Sequence, residues 1–159
     1  MSERLNHFAT VPSLTKALMD MSTASGKSSI DPMIKSLIDI RASQLNGCAF
    51  CLDMHTKQAK MKGERELRIY HISIWRESPL FSAKEKAALE LTEALTKIQD
   101  KGVSNELYSF MKEHFTDVEI SELTFTIGVI NMWNRLQILS QMVPGSQDSA
   151  WGLTKAGLN

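Results

Sequence analysis

Cysteine is scarce in this sequence: Cys48 and Cys51 are the only two, and there are only four prolines. Two cysteines cannot build the disulfide framework of a small secreted domain, and in a reducing compartment a close pair points to redox or metal chemistry rather than a staple. Excess charge is also lacking. Eighteen Lys and Arg balance eighteen Asp and Glu, so no net field gathers nucleic acid or an anionic membrane, and small molecules or proteins are the expected partners. The most apolar stretch, LTFTIGVINMW, is about half the length a membrane-spanning helix needs, so no transmembrane segment is expected. MSERLNHFATVPSLTKALMD at the start has no basic segment leading into an unbroken apolar run and no small-residue cleavage site. It does not read as a secretory signal, and the expected location is cytoplasmic. Strand signals are missing too, since the single Asn-Gly, Asn46-Gly47, lies between helical patterns rather than between alternating ones.

What is present is helical punctuation. Pro12, Pro32, Pro79 and Pro144 fall where the apolar pattern breaks. Asp31-Pro32 supplies an N-cap and a first helical residue, after which Ile34, Leu37, Ile38, Arg41 and Leu45 recur at helical spacing as far as Asn46-Gly47. A second helix is expected from Cys48 through Met61, stopping at Gly63, and a third over Glu64–Trp75. Ser82 with Glu85 and Thr116 with Glu119 form capping boxes, the latter ahead of an apolar pattern from Ile120 to about Met142. Ser104 caps a short helix carrying Leu107, Tyr108, Met111 and Phe115. The expectation is one all-α domain over residues 1–159 with about six or seven helices. Its polar, glycine-containing tail, 144–159, is expected to be loosely ordered.

The chemistry concentrates in QLNGCAFCLDMHTKQAKMKG. On a helix advancing about 100° per residue, Cys48 and His55 fall about 60° and 40° from Cys51, so the three share a face, whereas Asp53 falls about 200° away. A pair three residues apart at a helix start has Cα atoms close enough for a disulfide. Unpaired N–H groups and the dipole there stabilise thiolates, and His55 can accept a proton from Cys51. Redox chemistry, metal binding and inert packing all remain open at this point. A closed zinc site wants four ligands, and with no further cysteine His71 or Asp39 would have to complete it.

The other histidines carry less. His7 and His114 read as solvated or locally satisfied, and His71 within RIYHISIW as a packed core residue. The nine methionines read as core filler. Trp133-Asn134-Arg135 in an apolar helix reads as a structural hydrogen-bonded network or a subunit contact, because a buried arginine needs acceptors. Apolar residues on more than one face of ELTFTIGVINMWNRLQIL suggest that part of it meets another subunit.

The run IRASQLNGCAFCLDMHTKQAKMKGE, with WRESPLFSAKEKAALELTEALT and the later VINMWNRL, resembles the alkylhydroperoxidase AhpD-like branch of the carboxymuconolactone decarboxylase family over about residues 33–140. The resemblance implies an all-helical fold, a homo-oligomer (often a trimer or hexamer), and a thiol peroxidase or disulfide oxidoreductase that needs no cofactor or metal. Cys51 would then attack a hydroperoxide, Cys48 would resolve it, and His55 would be the matching histidine. A lipoyl or thioredoxin-like dithiol partner would reset the pair. Decarboxylase members lack the cysteine pair, which argues against lactone decarboxylation. There are two departures. The family's relay glutamate, twelve residues before the first cysteine, is Ser36 here, and a histidine found beside the second cysteine in some peroxidases is Phe50. Asp39, one turn further along the same helix, is the candidate substitute for the glutamate. The other reading, motivated by Ser36, is a non-enzymatic redox-responsive or metal-binding oligomer.

Overall fold

The structure, a computed structural model, describes residues 3–100 and 102–158; Met1, Ser2, Lys101 and Asn159 of the predicted domain lie outside them. The fold is all-helical, as expected. Its helices are α1 (His7–Thr10), α2 (Pro12–Gly26), α3 (Pro32–Asn46), α4 (Ala49–Met61), α5 (Glu66–His71), α6 (Ala83–Thr96), α7 (Asn105–His114), α8 (Asp117–Ser140) and α9 (Asp148–Trp151). Short 3₁₀ turns cover Ile72–Ile74 and Leu153–Ala156. With the four-residue α1 and α9 set aside, seven helices remain among the described residues, in line with the sequence reading.

The helix starts follow their local chemistry. Asp31 accepts from the Met33 N–H, with Pro32 at the first helical position. Both capping boxes close reciprocally, Ser82 with Glu85 and Thr116 with Glu119, and Ser104 accepts from the Leu107 N–H. Each such cap stabilises its helix by about 1 kcal/mol. The predicted helix over Glu64–Trp75 is shorter: α5 begins at Glu66, and its chain tightens into the 3₁₀ turn at Ile72. A buried ion cluster fixes this corner, with Arg68 donating to Glu64 at 2.9 Å, to Glu85 and to the Leu80 carbonyl.

Helix α3 is the centre of the bundle, packed by α4, α6 and α8. Ile34, Leu37, Ile38, Ile40 and Ala42 are all buried, so it has core on several sides. One cluster joins Ile38 and Ala42 to Ala88, Leu91, Met111, Leu123 and Ile127. A second joins Leu37 and Ile40 to Ile72, Trp75 and Leu89, and truncating a side chain as enclosed as Leu37 costs about 2–5 kcal/mol. Glu93 ties this second cluster to the surface. Its Oε1 accepts from Trp75 Nε1 at 2.8 Å and Arg41 Nε at 2.7 Å, and its Oε2 from Arg76 at 2.6 Å. Burial opposes the Glu93 charge, but these donors outweigh it and hold the carboxyl below its usual range.

The tail departs from the expectation of loose order. From Gly145 it turns back over α4, forming α9 and the second 3₁₀ turn, with Leu153 and Ala156 buried. Lys57 of α4 fastens it, donating to Asp53 at 2.9 Å and to Asp148 at 2.6 Å, while the Gly145 N–H donates to Asp53 at 3.1 Å. Burial disfavours the Lys57 ammonium, but the two carboxylates outweigh that and hold its pKa above the ordinary lysine value. Among the described residues no helix is long and apolar enough to cross a membrane.

Candidate active site

Helix α3 ends where Gly47 takes the left-handed conformation, φ +70°, which a side chain would strain. Polar residues of SQLNG hold this turn. The Ser43 carbonyl accepts from the Cys48 N–H at 3.0 Å, and the Ser43 hydroxyl accepts from Asn134 Nδ2 at 3.1 Å. Asn46 Nδ2 donates to Asn131 at 3.0 Å and to Asn134 at 2.9 Å. The expected network around Trp133-Asn134-Arg135 is therefore there, and its buried member is Asn134. Arg135 is a correction: it lies on the exposed side of α8 and donates back to the Asn131 carbonyl at 2.7 Å.

Cys48 is the N-cap of α4 rather than a residue on its wheel. Its backbone is extended, and its Sγ accepts from the Cys51 N–H at 3.3 Å. The two cysteines are bonded as a disulfide, with Cα atoms 5.3 Å apart. Both are almost fully buried, with Phe50, Met54 and Met142 packed about them, and the Phe50 ring meets Trp151 edge-on at 6.0 Å.

A cavity of about 810 Å³ opens between α2, α3, α4, α8 and the C-terminal turn. Cys51 and His55 lie on its wall, as do Asp39, Lys35, Lys62, Trp133 and Trp151; Cys48 does not line it. His55 Nδ1 stands 3.0 Å from Gln58 Oε1 and 3.6 Å from Asp39 Oδ2. With Gln58 Oε1 as acceptor, the Nδ1–H tautomer is the one that this contact favours, and it leaves the Nε2 lone pair free. Burial pushes the Asp39 carboxyl above its usual range, and His55, Lys62 and Lys35 partly offset this. At the position of the family's glutamate, the Ser36 hydroxyl donates to the Pro32 carbonyl at 3.0 Å and accepts from Lys62 Nζ at 3.2 Å.

The structure thus brings Cys51, His55 and Asp39 to one cavity. His71 pairs instead with Ser78 at 3.0 Å, and no group of three or more His, Cys, Asp or Glu among the described residues is placed to hold a metal ion. The sequence profile of the carboxymuconolactone decarboxylase family matches residues 12–94. The chain belongs to this family. Within it, this AhpD-like protein is 45% identical over 138 residues to the uncharacterized protein YdfG of Bacillus subtilis, covering 87% of this chain and 94% of the relative. A crystal structure from Agrobacterium tumefaciens, of a protein of unknown function provisionally named antioxidant defence protein AhpD, is similar with a TM-score of 0.86. It shares 36% identity and covers 90% of this chain and 98% of that one. The debrominase Bmp8 shares the fold, with a TM-score of 0.78 at 16% identity over 94% of this chain and 80% of that one.

Several cavity residues of this AhpD-like protein carried no sequence signal. Lys62 meets Ser36 across 26 residues of chain, and Trp151 reaches the site from the tail, so neither pattern nor spacing could pair them.

Proposed function

We propose that the protein is a thiol-dependent peroxidase that reduces hydroperoxides through the Cys48–Cys51 dithiol. The observation that carries this reading is the asymmetry of the pair: Cys51 lines the cavity and Cys48 does not. The Cys51 thiolate attacks the terminal oxygen of ROOH. The O–O bond breaks, the alkoxide takes a proton to leave as ROH, and Cys51 becomes a sulfenic acid. Cys48 then attacks Cys51 Sγ, water leaves, and the disulfide forms. His55 Nε2 accepts the Cys51 proton and returns it to the leaving oxygen, with Asp39 orienting the ring. An external protein dithiol, lipoyl or thioredoxin-like, reduces the disulfide by exchange.

The likeness to Bmp8 extends to fold alone, and a shared fold does not carry its chemistry here. Stopped-flow mixing of reduced protein with an organic hydroperoxide is the test. One disulfide should form per peroxide consumed, Cys48→Ser should halt at a trappable sulfenic acid, and Cys51→Ser should not react. Absence of hydroperoxide-dependent disulfide would refute the reading. Ser36 in place of the relay glutamate favours one competing reading, a redox-responsive oligomer without turnover, and sustained turnover with a dithiol donor excludes it.

A further inference from the structure

The cavity carries two ammonium groups, on Lys35 and Lys62, near Asp39. Lys35 and Asp39 sit one turn apart on α3 and both face the cavity. Lys62 reaches Ser36, the residue next to Lys35. Neither lysine has a carboxylate within ion-pair distance among the described residues. Lys35 Nζ donates to the Gly26 and Ser28 carbonyls at 3.1 and 3.4 Å, and Lys62 Nζ only to the Ser36 hydroxyl. An ammonium has three donors, so one on Lys35 and two on Lys62 remain available.

The acids nearby lie beyond ion-pair distance of the two ammonium groups. Glu122 attracts Lys35 while accepting from the Ser29 N–H and hydroxyl at 3.0 and 2.6 Å, Glu3 is an exposed residue of the lining, and Asp39, which feels both lysines, is pushed towards its neutral form by burial. Where the family places a carboxylate, this chain has a serine hydroxyl carrying a cation. Val129, Ile130, Trp133 and Met142 give part of the wall an apolar face. The volume of about 810 Å³ suits an organic molecule rather than hydrogen peroxide.

We infer that the cavity takes an amphipathic acid, an organic hydroperoxide whose carboxylate is held by Lys35 and Lys62 while its apolar body lies along Trp133 and Met142. The inference rests on the peroxidase reading for the reacting group, but the acid-binding claim is separable from it. The free donors of the two ammonium groups can pair with the carboxylate, and the esterified compound lacks that charge.

Two measurements on the full chain test it. In the first, dodecanoate and its methyl ester are titrated into the disulfide form, followed by the fluorescence of Trp133 and Trp151. Dodecanoate should bind more tightly than the ester, and Lys62→Met should cut that preference about five- to tenfold, as expected for loss of one partly screened charged contact. Lys62→Arg should retain most of it. Lys62 is exposed and makes one hydrogen bond, so its variants should keep the wild-type melting temperature. In the second, the hydroperoxide of an unsaturated fatty acid and that of its methyl ester are compared as oxidants of Cys51. Equal binding of acid and ester, or a preference untouched by Lys62→Met, overturns the inference. Oxidation by both hydroperoxides at equal rates also overturns it and leaves the peroxidase reading standing. A Lys62-dependent preference for dodecanoate with no oxidation by either hydroperoxide supports the acid site and overturns the peroxidase reading.

Discussion

Replacing Lys57 by methionine should release the C-terminal turn from α4. The substitution keeps most of the aliphatic stem and removes the ammonium that lies between Asp53 and Asp148. Lys57 is 5% exposed, while the Asp148 and Asp53 side chains retain 15% and 29% exposure. Breaking a fully buried pair by removing one partner costs about 3–5 kcal/mol, and partial exposure of the two carboxylates lowers the expected cost to about 2–3 kcal/mol. The segment is held otherwise by Leu153, Ala156 and the Trp151–Phe50 contact, so the loss should appear as local opening rather than global unfolding. Amides of residues 148–156 should exchange about 30–160-fold faster, with the global melting transition little changed. Adding Asp148→Asn should restore part of the protection, because the cost lies in the acid left without its cation. Unchanged exchange in Lys57→Met, or a double variant no better than the single one, would refute the argument. The pH dependence has a definite sign. The Lys57 pKa is raised in the folded state, so its contribution is complete below the ordinary lysine value and is lost as pH rises through the higher folded one.

Three further outcomes are expected. Asp39→Asn should raise the melting temperature at neutral pH, because burial makes the ionised carboxyl costly, and the gain should disappear below the ordinary carboxylate range, about pH 4, where both states are protonated. The same variant should slow Cys51 oxidation by up to about 100-fold; a wild-type rate would mean that His55 works without it. Asn134→Leu removes one of the hydrogen bonds of Asn46 and one of Ser43 and should cost about 1–3 kcal/mol in denaturant unfolding, whereas a change within about 0.5 kcal/mol would show that their remaining bonds, to Asn131 and to the Asp39 carbonyl, suffice. Phe125 and Leu139 of α8, 60% and 57% exposed, are expected to be covered by a second copy of the chain, and light scattering showing only a 17.8 kDa species at micromolar concentration would contradict that.

The legible parts of this fold were those specified by neighbours in sequence. Asp31-Pro32, Ser82 with Glu85 and Thr116 with Glu119 announce helix starts because the groups that satisfy the end N–H donors lie within three residues. The tail was illegible for the opposite reason: its glycines predict looseness, and its order comes from Asp148 meeting Lys57 across 91 residues. In the site, the motif brought Cys48, Cys51 and His55 to notice, and Asp39 followed from its place one turn beyond the position of the family's glutamate. Helical register alone misplaced Cys48, because a cap residue leaves the 100° progression. The cationic character of the cavity was hidden as well, since Lys62 is an ordinary helix-end lysine until α3 and α4 pack together.

A sulfur at the N-cap makes the redox state part of the helix. The atom that accepts from the Cys51 N–H occupies the place usually taken by a serine or aspartate oxygen, and an anionic thiolate accepts there far better than a neutral disulfide sulfur. The cap is therefore strongest when Cys48 is ionised to attack the Cys51 sulfenic acid, and it weakens as the disulfide forms. A cap is worth about 1 kcal/mol, so the helix that presents Cys51 to the cavity also favours the anion of its resolving partner.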